Sequence, residues 1–260
     1  MDHSAFIDAI EAESARALEV LRSAEPGASV PTAPEWDVAD LTWHLGEVQW
    51  FWGTIAADLL DDPEALEEPR RPDAGGLLDF LAAQTARLVD ALRQHTPADR
   101  CWSWFDGGDS IGWVARRQSH EALIHRVDAE LSAGIDVCEP DAALADDGVD
   151  EIVTVMMHLP EWGTFTPDRI SVRLDAIDTG SVWTLVLGRF VGISPDSGTA
   201  YDTDAIRLVH DDGPAQTTAT ISGSAWELDR WLWGRLPSTG VQIEGDPGVA
   251  GRLRAAAQVD

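Results

Sequence analysis

The hydrophobic period of this chain changes once, close to residue 160, and that change limits the folds open to it. Upstream, apolar residues recur at helical spacing. Downstream, they alternate with polar ones, as half-buried strands require. Phe6, Ile10, Ala17 and Leu21, with the small Ser14 in the same row, predict a first helix over residues 4–22. Asp37 sits where an N-cap belongs, with Asp40 three residues on, and predicts a second helix running to about Leu60, where Asp61-Asp62-Pro63 stops it. A third helix carries Leu77, Leu81, Leu88 and Leu92 on one face, and His95 near its end reads as a cation at a helix C-terminus. Residues 99–113 are rich in Trp, Gly and Asp and lack periodicity, so they read as a packed loop. That loop leads into a fourth helix containing Ser119–Glu130 and is a candidate to cover whatever site that helix bears. A fifth helix is expected over about Ala142–Met157, ended by His158 and Pro160.

Past that point Ile170–Ala176 and Ser181–Leu187 read as a hairpin, and Ala205–His210 and Thr217–Ser222 as further strands. Ser224 and Glu227 form a capping box for a short helix reaching Trp233, with Gly234 as its stop. Val241–Glu244 reads as a strand, and Asp246-Pro247 supplies the N-cap and first residue of a last helix. The pattern predicts an α+β chain without internal repeats. A helical bundle occupies residues 1–160, and a small antiparallel sheet with helices on it occupies residues 165–260.

The net charge of -28 disfavours nucleic acid and anionic membranes as partners, and no basic patch offsets it. All 18 basic residues are arginine, which removes Schiff-base lysines and a P-loop lysine from consideration. Two cysteines, Cys101 and Cys138, make no disulfide framework and have no zinc-like spacing. The acidic N-terminus does not read as a secretory signal, and no apolar run approaches the roughly 20 residues that span a bilayer. A cytoplasmic location is the expectation. Twelve tryptophans against one tyrosine read mainly as bulky core residues, with a few available to line a pocket.

The chemistry concentrates on the fourth helix. Glu121 and His125 are four residues apart, roughly 40° around the axis and one turn apart, so a carboxylate and an imidazole share one face. Asp128 follows on the same side. His120-Glu121 imitates the start of a zinc-protease helix, but the next histidine falls five residues after His120, roughly 140° away, so those two do not converge. His44, within the apolar pattern of the second helix, is the candidate third ligand. Two imidazoles and a carboxylate with one open position make a catalytic zinc set. Taken alone, Glu-x3-His is also a common surface pair, and a histidine on an apolar face is also a common core residue.

Three passages taken together narrow this. Trp36-Asp-Val-Ala-Asp-Leu-Thr-Trp-His44 and Ala115-Arg-Arg-Gln-Ser-His-Glu-Ala-Leu-Ile-His-Arg-Val-Asp-Ala129 resemble the mycothiol-dependent maleylpyruvate isomerase family, within the DinB-like metalloprotein superfamily. Ser222-Gly-Ser-Ala-Trp-Glu-Leu-Asp-Arg-Trp-Leu-Trp-Gly-Arg235, with Gly245-Asp246, resembles that family's C-terminal domain. The resemblance implies a DinB-like four-helix bundle followed by a small α/β sandwich resembling sterol-carrier domains. It implies a divalent metal, usually zinc, on His44, Glu121 and His125, and mycothiol as a low-molecular-weight thiol cofactor. It places Arg235 in the active site, where a guanidinium fork suits a substrate carboxylate; Arg117 and Arg126 are further local cations. The implied activity is isomerisation of a maleylpyruvate-like substrate, or transfer of the thiol to another small electrophile. In either case Cys101 and Cys138 are dispensable. Two other readings are a carrier whose sterol-carrier-like half holds an apolar ligand, and a bundle retained as a regulatory partner.

Overall fold

A computed structural model describes residues 1–209 and 217–257. The chain forms two compact units, Met1–Cys138 and Glu139–Asp260. No helix among the described residues is long and apolar enough to cross a membrane.

The first unit is a bundle of four long helices: α1 (His3–Ser23), α2 (Val38–Asp58), α3 (Leu77–Gln94) and α4 (Ile111–Ser132). A small hairpin, β1 (Ser29–Val30) and β2 (Ala33–Asp37), precedes α2. The Pro31 and Pro34 segment reads as a loop by composition, yet it pairs as a hairpin because only part of its backbone needs ladder partners. Asp37 accepts from the Asp40 amide and Asp40 caps back, so the predicted box opens α2. Contacts set the helix directions. Phe6 lies against His120, Glu13 against Arg126 and Arg16 against Glu130, so α1 and α4 run parallel. A Cβ on Gly46 would meet Phe80 and Leu81, and one on Gly53 would lie 3.3 Å from the Leu88 Cα, so α2 and α3 also run parallel. His44 faces Glu121 and Trp52 faces Trp113, so α2 and α4 are antiparallel.

Two apolar clusters hold the bundle. One gathers Phe6, Ile10, Trp52, Ile55, Leu88, Leu92, Ile111 and Val114; the other Ala17, Leu21, Val30, Leu41, Leu45, Leu81 and Ala129. Between them a polar chain is satisfied internally: Gln49 Nε2 donates to Ser14 Oγ (2.8 Å) and Thr85 Oγ1 donates to Gln49 Oε1 (2.6 Å). The Trp-rich segment packs on the α2 C-terminal half, with Trp102 against Phe51 and Trp52, and Trp104 and Phe105 against Trp113. Its last three residues, Ile111–Trp113, belong to α4, because Ser110 caps that helix by accepting from the Trp113 amide.

The second unit opens with α5 (Ala142–Glu151), which continues as a π-helical turn over Ile152–Met156. Five strands follow: β3 (Gly163–Ala176), β4 (Val182–Ile193), β5 (Ala200–Val209), β6 (Ala219–Gly223) and β7 (Gln242–Gly245), in the order β5-β4-β3-β6-β7. Helices α6 (Ala225–Leu232) and α7 (Pro247–Ala256) complete it. The sheet is mixed rather than wholly antiparallel, because β6 enters beside β3 and parallel to it, with Leu174 opposite Ile221. Alternating burial identifies a strand's faces but not its neighbour, so the sequence leaves that choice open. The Ser224–Glu227 box and the Asp246 cap with Pro247 form as predicted. His210, placed in a strand by its sequence, lies outside the described residues.

Candidate metal centre

The site is built where α2 and α4 pass each other. Capping by Asp37 sets the start of α2, and His44 follows two turns on, with its side chain 30% exposed. From α4, the four-residue spacing brings Glu121 and His125 to one face. His125 Nε2 lies 3.1 Å and His44 Nε2 3.4 Å from the same oxygen, Glu121 Oε1. The two imidazole centroids are 4.8 Å apart with planes crossed at 76°. One donor atom from each of the three residues falls within 4.8 Å of the others. Ligand atoms about 2.0–2.1 Å from a tetrahedral zinc ion lie roughly 3.3–3.4 Å from one another. The 3.1 and 3.4 Å separations from Glu121 Oε1 are close to that, and the donor set suits zinc, so the residues fit a divalent ion.

The surroundings orient the three side chains. His125 Nδ1 donates to Asp128 Oδ2 at 2.9 Å, which directs the Nε2 toward the shared point. Asp128 is buried, and its other oxygen accepts from Thr32 Oγ1 at 2.6 Å, so the β1–β2 turn holds the α4 carboxylate. Trp36, from β2, lies 4.6 Å from the His44 ring and 6.2 Å from the His125 ring. Arg117 Nη2 donates to Glu121 Oε2 at 2.6 Å.

Electrostatics follow this packing. Burial opposes ionisation of Glu121, but His125, His44 and Arg117 outweigh it and hold the carboxyl well below its usual range. Burial likewise opposes the His125 imidazolium; Glu121 and Asp128 outweigh it and raise the group to about 9. Without a metal the pair is therefore an ion pair at neutral pH, and an ion bound there would have to displace the proton of His125.

Other singled-out residues lie elsewhere. His120 is buried, with its ring 6.2 Å from that of Phe6, on a different side of α4 from the triad. His95 caps α3, and its Nδ1 is 3.6 Å from Asp99. Arg126 is buried between Glu13 and Glu130 and also donates to the Cys138 carbonyl, a structural pairing. Cys101 is buried, and burial, with Asp109 and Asp61, pushes its thiol up to about 11, so it is a poor nucleophile. Cys138 is exposed, with Arg16 Nη2 3.8 Å from its sulfur. Arg235, in the second unit, follows the left-handed Gly234 (φ 76°), and its Nη1 donates to the Trp233 carbonyl at 2.7 Å. Sequence reasoning missed Thr32 as a partner of Asp128, a role that depends on the hairpin. The link from Arg117 to Glu121 was readable, since the two are four apart on one helix.

Residues 7–130 match the family model described as the mycothiol maleylpyruvate isomerase N-terminal domain. Two solved structures resemble almost the whole chain. One is the crystal structure of the mycothiol-dependent maleylpyruvate isomerase, with a TM-score of 0.59 at 15% identity, covering 94% of this chain and 93% of that one. The other is a histidine-to-alanine mutant of the mycothiol-dependent maleylpyruvate isomerase, with a TM-score of 0.59 at 13% identity and the same coverage. At these identities the likeness is one of fold. No curated protein matches the chain.

Proposed function

We propose, from the match of residues 7–130 to the mycothiol maleylpyruvate isomerase N-terminal domain, that the chain is a metal- and thiol-dependent enzyme of that family acting on small electrophiles. In this reading His44, Glu121 and His125 hold one divalent ion, zinc being the best fit to the donor set. The observation that carries it is the convergence of both imidazole Nε2 atoms on Glu121 Oε1 at 3.1 and 3.4 Å. When bound, the metal supplies Lewis acidity that keeps a coordinated thiol deprotonated near neutral pH, and the thiol supplies a nucleophile for reversible addition to a cis double bond or for capture of another electrophile.

The chain's own residues have separable tasks. Asp128 holds the Nδ1 proton of His125, so the ring presents a lone pair at Nε2. Trp36 flanks His44 and limits its rotation. The family resemblance of Trp231–Arg235 supports Arg235 as a partner for a substrate carboxylate, which a guanidinium binds through two parallel donors. Mycothiol is the thiol this reading favours, with a maleylpyruvate-like substrate or a related electrophile.

Elemental mass spectrometry of the purified protein, beside a His125→Ala variant, tests the reading. About one zinc per chain, lost in a variant that still folds, together with thiol-dependent turnover abolished by a chelator, is the expected outcome. A chain that takes up no metal even after reconstitution would sink it. A second reading has one observation in its favour. In the second unit Val153, Met157 and Ile206 line an open cleft of about 580 Å³, together with the polar His158, Glu161 and Arg207. Fatty-acid binding insensitive to chelators would favour apolar-ligand carriage instead.

A further inference from the structure

The two oxygens of Glu121 have different partners. Oε1 faces both histidines, at 3.1 Å from His125 and 3.4 Å from His44. Oε2 accepts from Arg117 Nη2 at 2.6 Å. The Arg117 side chain is only 6% exposed and that of Glu121 17%, so the pair lies largely out of water. Burying a guanidinium is costly, and a buried ion pair is weak evidence of added stability, so a role in fixing geometry deserves the test. A carboxylate can bind a metal through one oxygen or both. The second mode needs both lone-pair sets turned toward the ion, and Arg117 draws one of them away. The geometry points to Arg117 as a positioning residue that makes Glu121 a one-oxygen ligand and so keeps a coordination position open for the thiol. This rests on the metal reading above, and concerns how the site is tuned rather than whether it exists. The same helix turn supplies both residues, so α4 sets ligand identity and ligand mode together.

The test reads coordination number rather than turnover. Zinc-loaded protein is measured by X-ray absorption, and the cobalt(II)-loaded protein by its visible d–d absorption, in wild type and Arg117→Met. Wild type is expected to show a four-coordinate ion with one carboxylate oxygen, and intense cobalt absorption. Arg117→Met is expected to gain an oxygen, lose several-fold of the cobalt absorption, and bind thiol about tenfold more weakly by calorimetry, in line with other outer partners of metal ligands. Two oxygens from Glu121 in wild type overturn the proposal whether or not the variant folds. An unchanged spectrum in a folded Arg117→Met chain overturns it as well. A wild-type chain that takes up neither zinc nor cobalt overturns the proposed function along with it, so the two failures are distinguishable.

Discussion

Single residues carry most of the testable chemistry. Asp128 anchors His125 from one side while Thr32 anchors Asp128, so weakening that acceptor is expected to loosen the imidazole. Asp128→Asn should lower zinc affinity by about tenfold, measured by competition with a chelating dye. The titration of His125 predicts a pH dependence for the metal-free chain. Its folded pKa is raised to about 9, above the ordinary value near 6.5. The stability it contributes is therefore complete below about pH 6.5 and is lost as pH rises toward about 9. Thermal unfolding in chelator across that window should show a falling midpoint. Over the same window zinc should bind more tightly as pH rises, since it competes with that proton. At Arg235 a lysine keeps the charge but not the fork. Arg235→Lys should raise KM for a dicarboxylate substrate by about tenfold with the metal content unchanged.

At the scale of elements, α2 is the part whose placement matters most, because it brings His44 to α4. Its start is set by the reciprocal cap of Asp37 and Asp40, and Asp37→Ala should cost about 1 kcal/mol in a denaturant titration. Its packing on α3 depends on close backbone approach. A Cβ at Gly53 would lie 3.3 Å from the Leu88 Cα, and backbone cannot rotate away as the Phe80 ring beside Gly46 can. Gly53→Val should therefore destabilise the bundle by about 1–3 kcal/mol, seen as an earlier unfolding midpoint. The helix α4 is unusual in burying Arg117, Gln118, His120, His125, Arg126, Asp128 and Glu130 along with its apolar residues. Such a helix shows little amphipathic signal. Its existence was legible mainly from the spacing of Glu121 and His125, and its start at Ile111 was obscured by the aromatic loop before it.

For the molecule as a whole, charge is the dominant feature. A net charge of -28 repels itself at low ionic strength, so the unfolding temperature should rise as salt is added from about 10 to 150 mM, the range over which screening lengths shrink from about 30 to 8 Å. A flat response would show that self-repulsion is no greater in the folded chain than in the unfolded one.

Much of this architecture was determined by the sequence alone. The change of period near residue 160, the caps at Asp37, Ser224 and Asp246, and the one-face spacing of Glu121 and His125 are local properties, governed by neighbours within a few residues. Tertiary structure alone decided the rest. It brought His44 within 3.4 Å of a carboxylate 77 positions along the chain, turned Thr32 onto Asp128, and seated β6 parallel to β3. Such meetings depend on how apolar faces pack and how strands choose partners, and the hydrophobic pattern of one element carries no information about which other element will cover it.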